Sequence, residues 1–182
     1  ALRKLGFSEV TGIDMSESGL NDAKNRIKKA KIDGVKFVKG NVLKLPFDDE
    51  KFDFVWSSGV LHHTTNMQQG MDELLRVLKK GGFGYQYLIE NPGGIFWDSI
   101  ELLRILLKNI PFDFAQHVYA MAGVSPYDTF YILDHAMVPI NIRSTPAEVE
   151  NLLKKSGACN IRRLKRGTDF DRVEKIYQKE PY

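Results

Sequence analysis

Asp14 closes the short β-branched run Val10-Thr11-Gly12-Ile13. An ionised carboxylate only accepts hydrogen bonds, and its two oxygens match the two hydroxyls of a vicinal diol such as a ribose. An Asp after a strand is also a common turn or N-cap residue, so position alone leaves both uses open. Three further places share its setting at the carboxyl end of a candidate strand: Gly40-Asn41-Val42, Ser57-Ser58-Gly59 and Glu90-Asn91. In open α/β sheets, ligands bind outside those carboxyl ends. His62 and His63 follow the third place within a few residues. Imidazoles titrate near neutrality and can move protons. Adjacent histidines rarely share one metal ion and no carboxylate cluster completes a site, so no metal is expected.

The elements that must position these residues follow from hydrophobic spacing. Ser16 reads as an N-cap, after which Leu20, Ala23, Ile27 and Ala30 recur at helical spacing. Asp33-Gly34 turns the chain into a second strand, Val35-Lys36-Phe37-Val38, and Phe52-Asp53-Phe54-Val55-Trp56 is a third. Met67, Met71, Leu74, Leu75 and Leu78 form an apolar stripe, closed by Lys79-Lys80 and by Gly81 as a C-cap. A fourth strand covers Phe83 to Ile89. Strands alternating with helices of this length predict an α/β fold, with a mainly parallel sheet and helices on both faces.

The alternation breaks over about 92–144, where a helical insert is predicted. Phe96, Ile100, Leu103, Leu107 and Ile110 mark its first helix, ended by Pro111; Phe114 to Met121 gives a second and Ser125-Pro126 caps a third. Its aromatics (Phe96, Trp97, Phe112, Phe114, Tyr119, Tyr127, Phe130 and Tyr131) either line an apolar site or form a helical core, and their spacing favours the core. Asp134, His135 and Arg143 are its polar exceptions, with Arg143 free to clamp an anion or to form a structural ion pair. Thr145, Pro146 and Glu148 make a capping box for a last helix, with Val149, Leu152 and Leu153 as its apolar face and Gly157 after it. Asn160 to Leu164 and Val173 to Gln178 read as an antiparallel strand pair at the sheet edge.

The chain has 182 residues, 43% apolar and 27% charged. That fits a single domain over 1–182 and excludes intrinsic disorder. Its most apolar helical stretch, Ile100 to Ile110, is broken by Glu101, Arg104 and Lys108, so no membrane span is expected. Ala1 to Gly6 contain no long apolar run of the kind a signal peptide needs. Cys159, the single cysteine, can form no internal disulfide, and a reducing, cytoplasmic setting is expected. The net charge is +3, and basic residues gather between Lys154 and Lys179 against Asp169, Asp171 and Glu174. This excess reads as a solvated, charged edge strand; without an interleaved aromatic motif, nucleic acid is not an expected partner.

Several of these features agree in order and distance. Gly12-Ile13-Asp14-Met15-Ser16 is followed by Gly40-Asn41-Val42, Leu45-Pro46-Phe47, Phe52 to His63, and Leu75-Arg76-Val77-Leu78-Lys79-Lys80-Gly81-Gly82. The set resembles the class I S-adenosylmethionine-dependent methyltransferases, in the small-molecule branch of ubiquinone and menaquinone type. The resemblance covers Ala1 to about Asn91 and, more loosely, Thr145 to Gln178. It implies a Rossmann-like fold, S-adenosylmethionine as cofactor and a small-molecule methyl acceptor. It further implies that Asp14 holds the ribose, Met15 packs on the adenine, and Asn41 and the Val42 N–H reach the adenine edge. The family has an Asp where Asn41 stands; Asn keeps an acceptor oxygen without the charge. Ser57 and Ser58 would lie beside the methionine portion, with His62 and His63 near the transferred methyl and either one a candidate general base. The insert would form a lid over the acceptor.

The resemblance also carries a departure. The family's first strand and glycine-rich loop would precede Ala1, so the sequence is expected to be amino-terminally truncated, to bind the cofactor poorly or not at all by itself, and to be inactive alone. The absent strand would sit between the strand ending at Asp14 and the one ending at Trp56. Two other readings fit parts of the sequence. A nicotinamide dinucleotide enzyme also places an acid after its second strand, yet explains neither Leu45-Pro46-Phe47 nor Leu61-His62-His63. A non-catalytic binding or scaffold domain would keep the fold without the activity.

Overall fold

The computed structural model describes residues 2–91, 93–164 and 172–181. Six strands and six α-helices follow in the order β1 (Val10–Asp14), α1 (Glu17–Lys29), β2 (Val35–Lys39), β3 (Phe52–Ser58), α2 (Met67–Val77), β4 (Leu78–Ile89), α3 (Ile95–Leu107), α4 (Phe112–Met121), α5 (Pro126–Ala136), α6 (Pro146–Lys155), β5 (Ala158–Leu164) and β6 (Arg172–Lys179). Caps fall where the sequence puts them. Ser16 accepts from the Gly19 N–H, Ser125 from the Asp128 N–H, and Thr145 and Glu148 close a reciprocal capping box.

The strands lie in two pieces. β1 and β2 pair in parallel, and a separate sheet has the order β3-β4-β6-β5. In the larger sheet β3 and β4 are parallel, while β4–β6 and β6–β5 are antiparallel. No backbone ladder joins β1 to β3 among the described residues, and a trough separates the two strand edges. The carboxyl-terminal pair is antiparallel as expected, but only β5 is at the edge; β6 is interior. That placement changes the reading of its charges. Lys175 is buried and pairs with Glu150 at 3.2 Å, and the Lys179 ammonium donates to the Leu78 carbonyl at 2.9 Å. The part of the basic stretch at 165–171 lies outside the described residues.

Gly81 does not cap α2. The chain is already extended at Leu78, which pairs with Phe52, and the register slips between Phe52 and Phe54. Gly81, at φ +71°, and Gly82 absorb that slip; a Cβ on Gly82 would lie 2.8 Å from the Lys79 carbonyl oxygen. Helix α3 stops at Leu107 rather than Ile110, because Pro111 serves as N-cap of α4.

The main core joins α2, α6 and the larger sheet through Leu61, Met71, Leu75, Leu88, Leu153 and Tyr177. In the insert, α3 and α4 each pack on α5. This corrects the expectation of an aromatic core there. Trp97, Ala115 and Leu133 are buried, but Phe112, Phe114, Tyr127 and Phe130 are exposed. These four rings stay in solvent while α3 and α4 pack on α5.

Leu45-Pro46-Phe47 owes its shape to α2. Arg76 donates to both oxygens of Glu73 (2.7 and 2.8 Å), to Asp49 (2.8 Å), and to the carbonyls of Phe47 (2.7 Å) and Leu45 (3.0 Å). Glu73 in turn accepts from the Leu45 N–H at 2.6 Å. These bonds hold the Glu73 carboxyl below the usual range and raise the guanidinium further. A lysine ammonium cannot reproduce the planar fork. Arg76→Lys is therefore expected to lower stability by about 2 kcal/mol, read from the urea midpoint; a change under about 0.5 kcal/mol would mean the clamp is ornamental to stability.

Candidate active site

A cavity of about 550 Å³ fills the trough between β1 and β3. It is bounded by Val10 to Met15 on one side, Phe54 to Ser57 on the other, and Leu74 and Val77 of α2 beneath. Its walls are mainly apolar, with the polar side chains of Asp14, Asn41 and Ser57 among them.

Asp14, Met15, Asn41, Val42, Ser57 and His63 all line this cavity. Ser58 and His62 are not among its lining residues. Asp14 is exposed at the end of β1, where its Oδ1 accepts from the Ser16 N–H at 2.8 Å. The turn role and the ligand role thus coexist: one oxygen anchors the carboxylate, and lone pairs remain for a diol. Met15 is 64% exposed beside it. Asn41 Oδ1 accepts from the Leu43 N–H at 2.9 Å, which fixes the loop that presents Val42.

The floor residue Ser57 is 4% exposed, and its Oγ has no hydrogen-bond partner. Buried hydroxyls are ordinarily satisfied, so this oxygen is available to a bound group. Beside it, Trp56 is 48% exposed, stacked on Tyr85 at 3.9 Å between ring centroids. Sequence reasoning treated Trp56 only as a strand residue. Its signal was present: a large aromatic, in alternation with Phe54, at the carboxyl end of the strand that leads to the serines.

Gly59, at φ +71°, turns the chain out of β3 into a 3₁₀ turn, Leu61–His63. The two histidines then part ways. His62 is 2% exposed and is pushed down to about 3, first by burial and then by the nearby His63 and His135. It is a neutral packing residue at physiological pH. His63 reaches the cavity, and its Nδ1–H donates to the Ile140 carbonyl at 2.8 Å. The insert's return segment holds this turn at several points. The Ile142 N–H donates to the His62 carbonyl (2.9 Å), and the Ser144 N–H to Ile89 (3.1 Å). Backbone contacts of this kind carry no sequence signal, and Ile140 was not foreseen. Arg143 is no free anion clamp: its guanidinium lies 4.4 Å from the Trp97 ring centre and pairs with Glu101. No cluster of metal-ligating side chains occurs among the described residues, and no helix there is long and apolar enough to cross a membrane.

A parallel β-α-β start, with helices packed on a mainly parallel arrangement of β1 to β4, defines a Rossmann-like α/β protein. Residues 1–85 match the family model described as a methyltransferase domain. The demethylmenaquinone methyltransferase of Listeria welshimeri is 38% identical over 73 residues, covering 40% of this chain and 31% of that protein. The phthiotriol/phenolphthiotriol dimycocerosates methyltransferase of Mycobacterium tuberculosis is 34% identical over 98 residues, covering 53% of this chain and 35% of that protein. Each match thus spans about a third of the curated relative. In fold the chain is similar to the YcgJ protein of Bacillus subtilis, with TM-score 0.66 at 13% identity over 95% of this chain and 83% of that one. It is also similar to a methyltransferase from Thermotoga maritima, with TM-score 0.61 at 16% identity over 93% and 72%. The likeness in sequence thus lies in about half of the chain, and the likeness to the solved structures is one of fold.

Proposed function

We propose that this chain forms the cofactor-binding and acceptor-binding parts of an S-adenosylmethionine-dependent methyltransferase acting on a small apolar molecule in the cytoplasm. The observation that carries the reading is the convergence of Asp14, Met15, Asn41, Val42, Ser57 and His63 on one cavity. The donor set suits the cofactor: a carboxylate for the ribose diol, Met15 and apolar walls for the purine, and the orphan Ser57 hydroxyl for the polar amino-acid end. Bound there, S-adenosylmethionine would supply an electrophilic methyl group. The protein's own contributions are alignment and water exclusion, which together can supply roughly 7–11 kcal/mol. His63 rather than His62 is the candidate base, because His63 alone of the pair lines the cavity. Acceptors of quinone or lipid type suit the apolar lining, and the two relatives named above are methyltransferases of such molecules. The single Cys159 is in keeping with a reducing compartment.

The test is a titration of S-adenosylhomocysteine into the full-length protein, followed by backbone amide shifts around Asp14 and Ser57. Two hydrogen bonds to a charged acceptor are at stake. Asp14→Ala is expected to weaken binding roughly tenfold or more, equivalent to about 1.4 kcal/mol. Binding unchanged within about twofold (roughly 0.4 kcal/mol) would remove the ribose role of Asp14, and with it this reading.

A further inference from the structure

The corner between α3 and α4 gathers apolar side chains in solvent. Leu102, Ile105 and Leu106 of α3, Ile110 in the connection, and Phe112 and Phe114 of α4 are all exposed. They fall within residues 102–114, so they are neighbours in space whatever angle the two helices make. The stripe continues along α4 through Val118 and Met121, four and seven residues beyond Phe114. That is the spacing with which one helix face meets another. Exposure over these side chains runs from 37% to 76%. Large side chains offer roughly 150–250 Å² each, so about 800 Å² of apolar surface is open to water. Monomeric proteins rarely expose a patch larger than about 300–600 Å². The insert's own packing leaves this surface over, since α3 and α4 turn other faces to α5. The cavity between β1 and β3 does not use it either, because none of these side chains lines that cavity.

We infer that this corner is a homodimer interface, covered in solution by the same corner of a second copy. Area and charge select that occupant. A stable interface between two proteins takes about 800 Å² from each partner, which the corner supplies. Its Leu, Phe and Met content and its lack of charge within the patch are those of the centre of a homodimer interface. Residues 92–144 hold three basic side chains against five acidic ones. Two of the three, Arg104 and Arg143, pair with Glu101. A helix that lies on a bilayer is instead rich in Lys and Arg along its polar side. The third cation, Lys108, stands at the end of α3, and Asp113 lies in the first turn of α4. Both are exposed, and they bracket the corner with opposite signs. A two-fold axis through the corner would set the lysine of each copy against the aspartate of the other, as a self-complementary contact requires.

Sedimentation velocity of the full-length protein, from about 1 to 100 µM, should show a dimer with a dissociation constant at or below about 10 µM. A monomer throughout that range overturns the proposal, whatever any variant does. Phe114→Asp and Leu106→Asp should each weaken the dimer roughly 30-fold or more. Both side chains are exposed in the single chain, so the far-ultraviolet circular dichroism of the dilute protein should not change. Lys108→Asp should also weaken association, and adding Asp113→Lys should restore it, a rescue that unspecific apolar contact would not give. A dimer indifferent to both aspartate substitutions is made elsewhere on the molecule and overturns the assignment. A protein that stays monomeric yet sediments with phosphatidylcholine–phosphatidylglycerol vesicles overturns it too, because the corner then faces lipid.

Discussion

Lowering the pH from 7 to 4 is expected to cost the folded protein about 3 kcal/mol through His62 alone. Burial, with the neighbouring His63 and His135, pushes this imidazole down to about 3, while in the unfolded chain it titrates at about 6.5. Below that value the unfolded state binds a proton that the folded state refuses. The contribution is therefore fully present above about pH 6.5, and is lost as the pH falls toward 3 at about 1.4 kcal/mol per unit. Urea denaturation at pH 7 and pH 4 measures the loss. Carboxylates held below their usual range, such as Glu73 and Glu148, add an acid dependence of their own, so the informative quantity is a difference. His62→Phe keeps a ring of similar size and has nothing to titrate. It should lose about 3 kcal/mol less than the natural protein over the same interval. Parallel pH curves for the two proteins would show that His62 can be protonated in place.

Gly84→Ala is expected to lower stability by about 3 kcal/mol. Gly84 of β4 pairs in register with Tyr177 of β6, and the Tyr177 ring lies across the glycine. A Cβ at position 84 would overlap the Cζ and Cε2 of that ring and its phenol oxygen. Tyr177 is 1% exposed within the main core, so the ring has nowhere to go without displacing its neighbours. Two further variants isolate this cause. Tyr177→Leu in the Gly84→Ala background should recover much of the loss, giving a coupling above about 1 kcal/mol. Tyr177→Phe should change stability by less than about 1 kcal/mol, since the buried phenol oxygen has no hydrogen-bond partner. A Gly84→Ala protein as stable as the original would show that β4 and β6 can part freely, contrary to the packing described.

The sequence was legible where one local signal decided one local structure. Ser16, Ser125 and the Thr145–Glu148 box each satisfy a helix amine end that nothing else could, and the strands ending at Asp14 and Ser58 follow from β-branched and aromatic runs. It misled where a partner far along the chain overrode the local signal. Gly81 looks like a helix cap, but Leu78 is drawn into the sheet by Phe52. Lys175 looks like a solvated charge, but Glu150 accompanies it into the interior. The insert aromatics have core spacing, yet Phe112, Phe114, Tyr127 and Phe130 are exposed. At the site, the sequence singles out Asp14, Asn41 and Ser57 by type and position, and all three line one cavity. The division between His62 and His63 was not visible, because it depends on which of two adjacent rings the insert's Ile140 carbonyl engages.

The division of the strands has a mechanical consequence. Among the described residues, no backbone hydrogen bond runs from the unit that bears Asp14, residues 2–40, to the sheet that bears Ser57 and His63. What joins them is apolar: Phe7 against Phe54 at 5.2 Å, and Ile13 against the main core. A molecule held at one end by Asp14 and at the other by Ser57 would add a polar tie across that apolar contact, and would stabilise the protein in step with its occupancy.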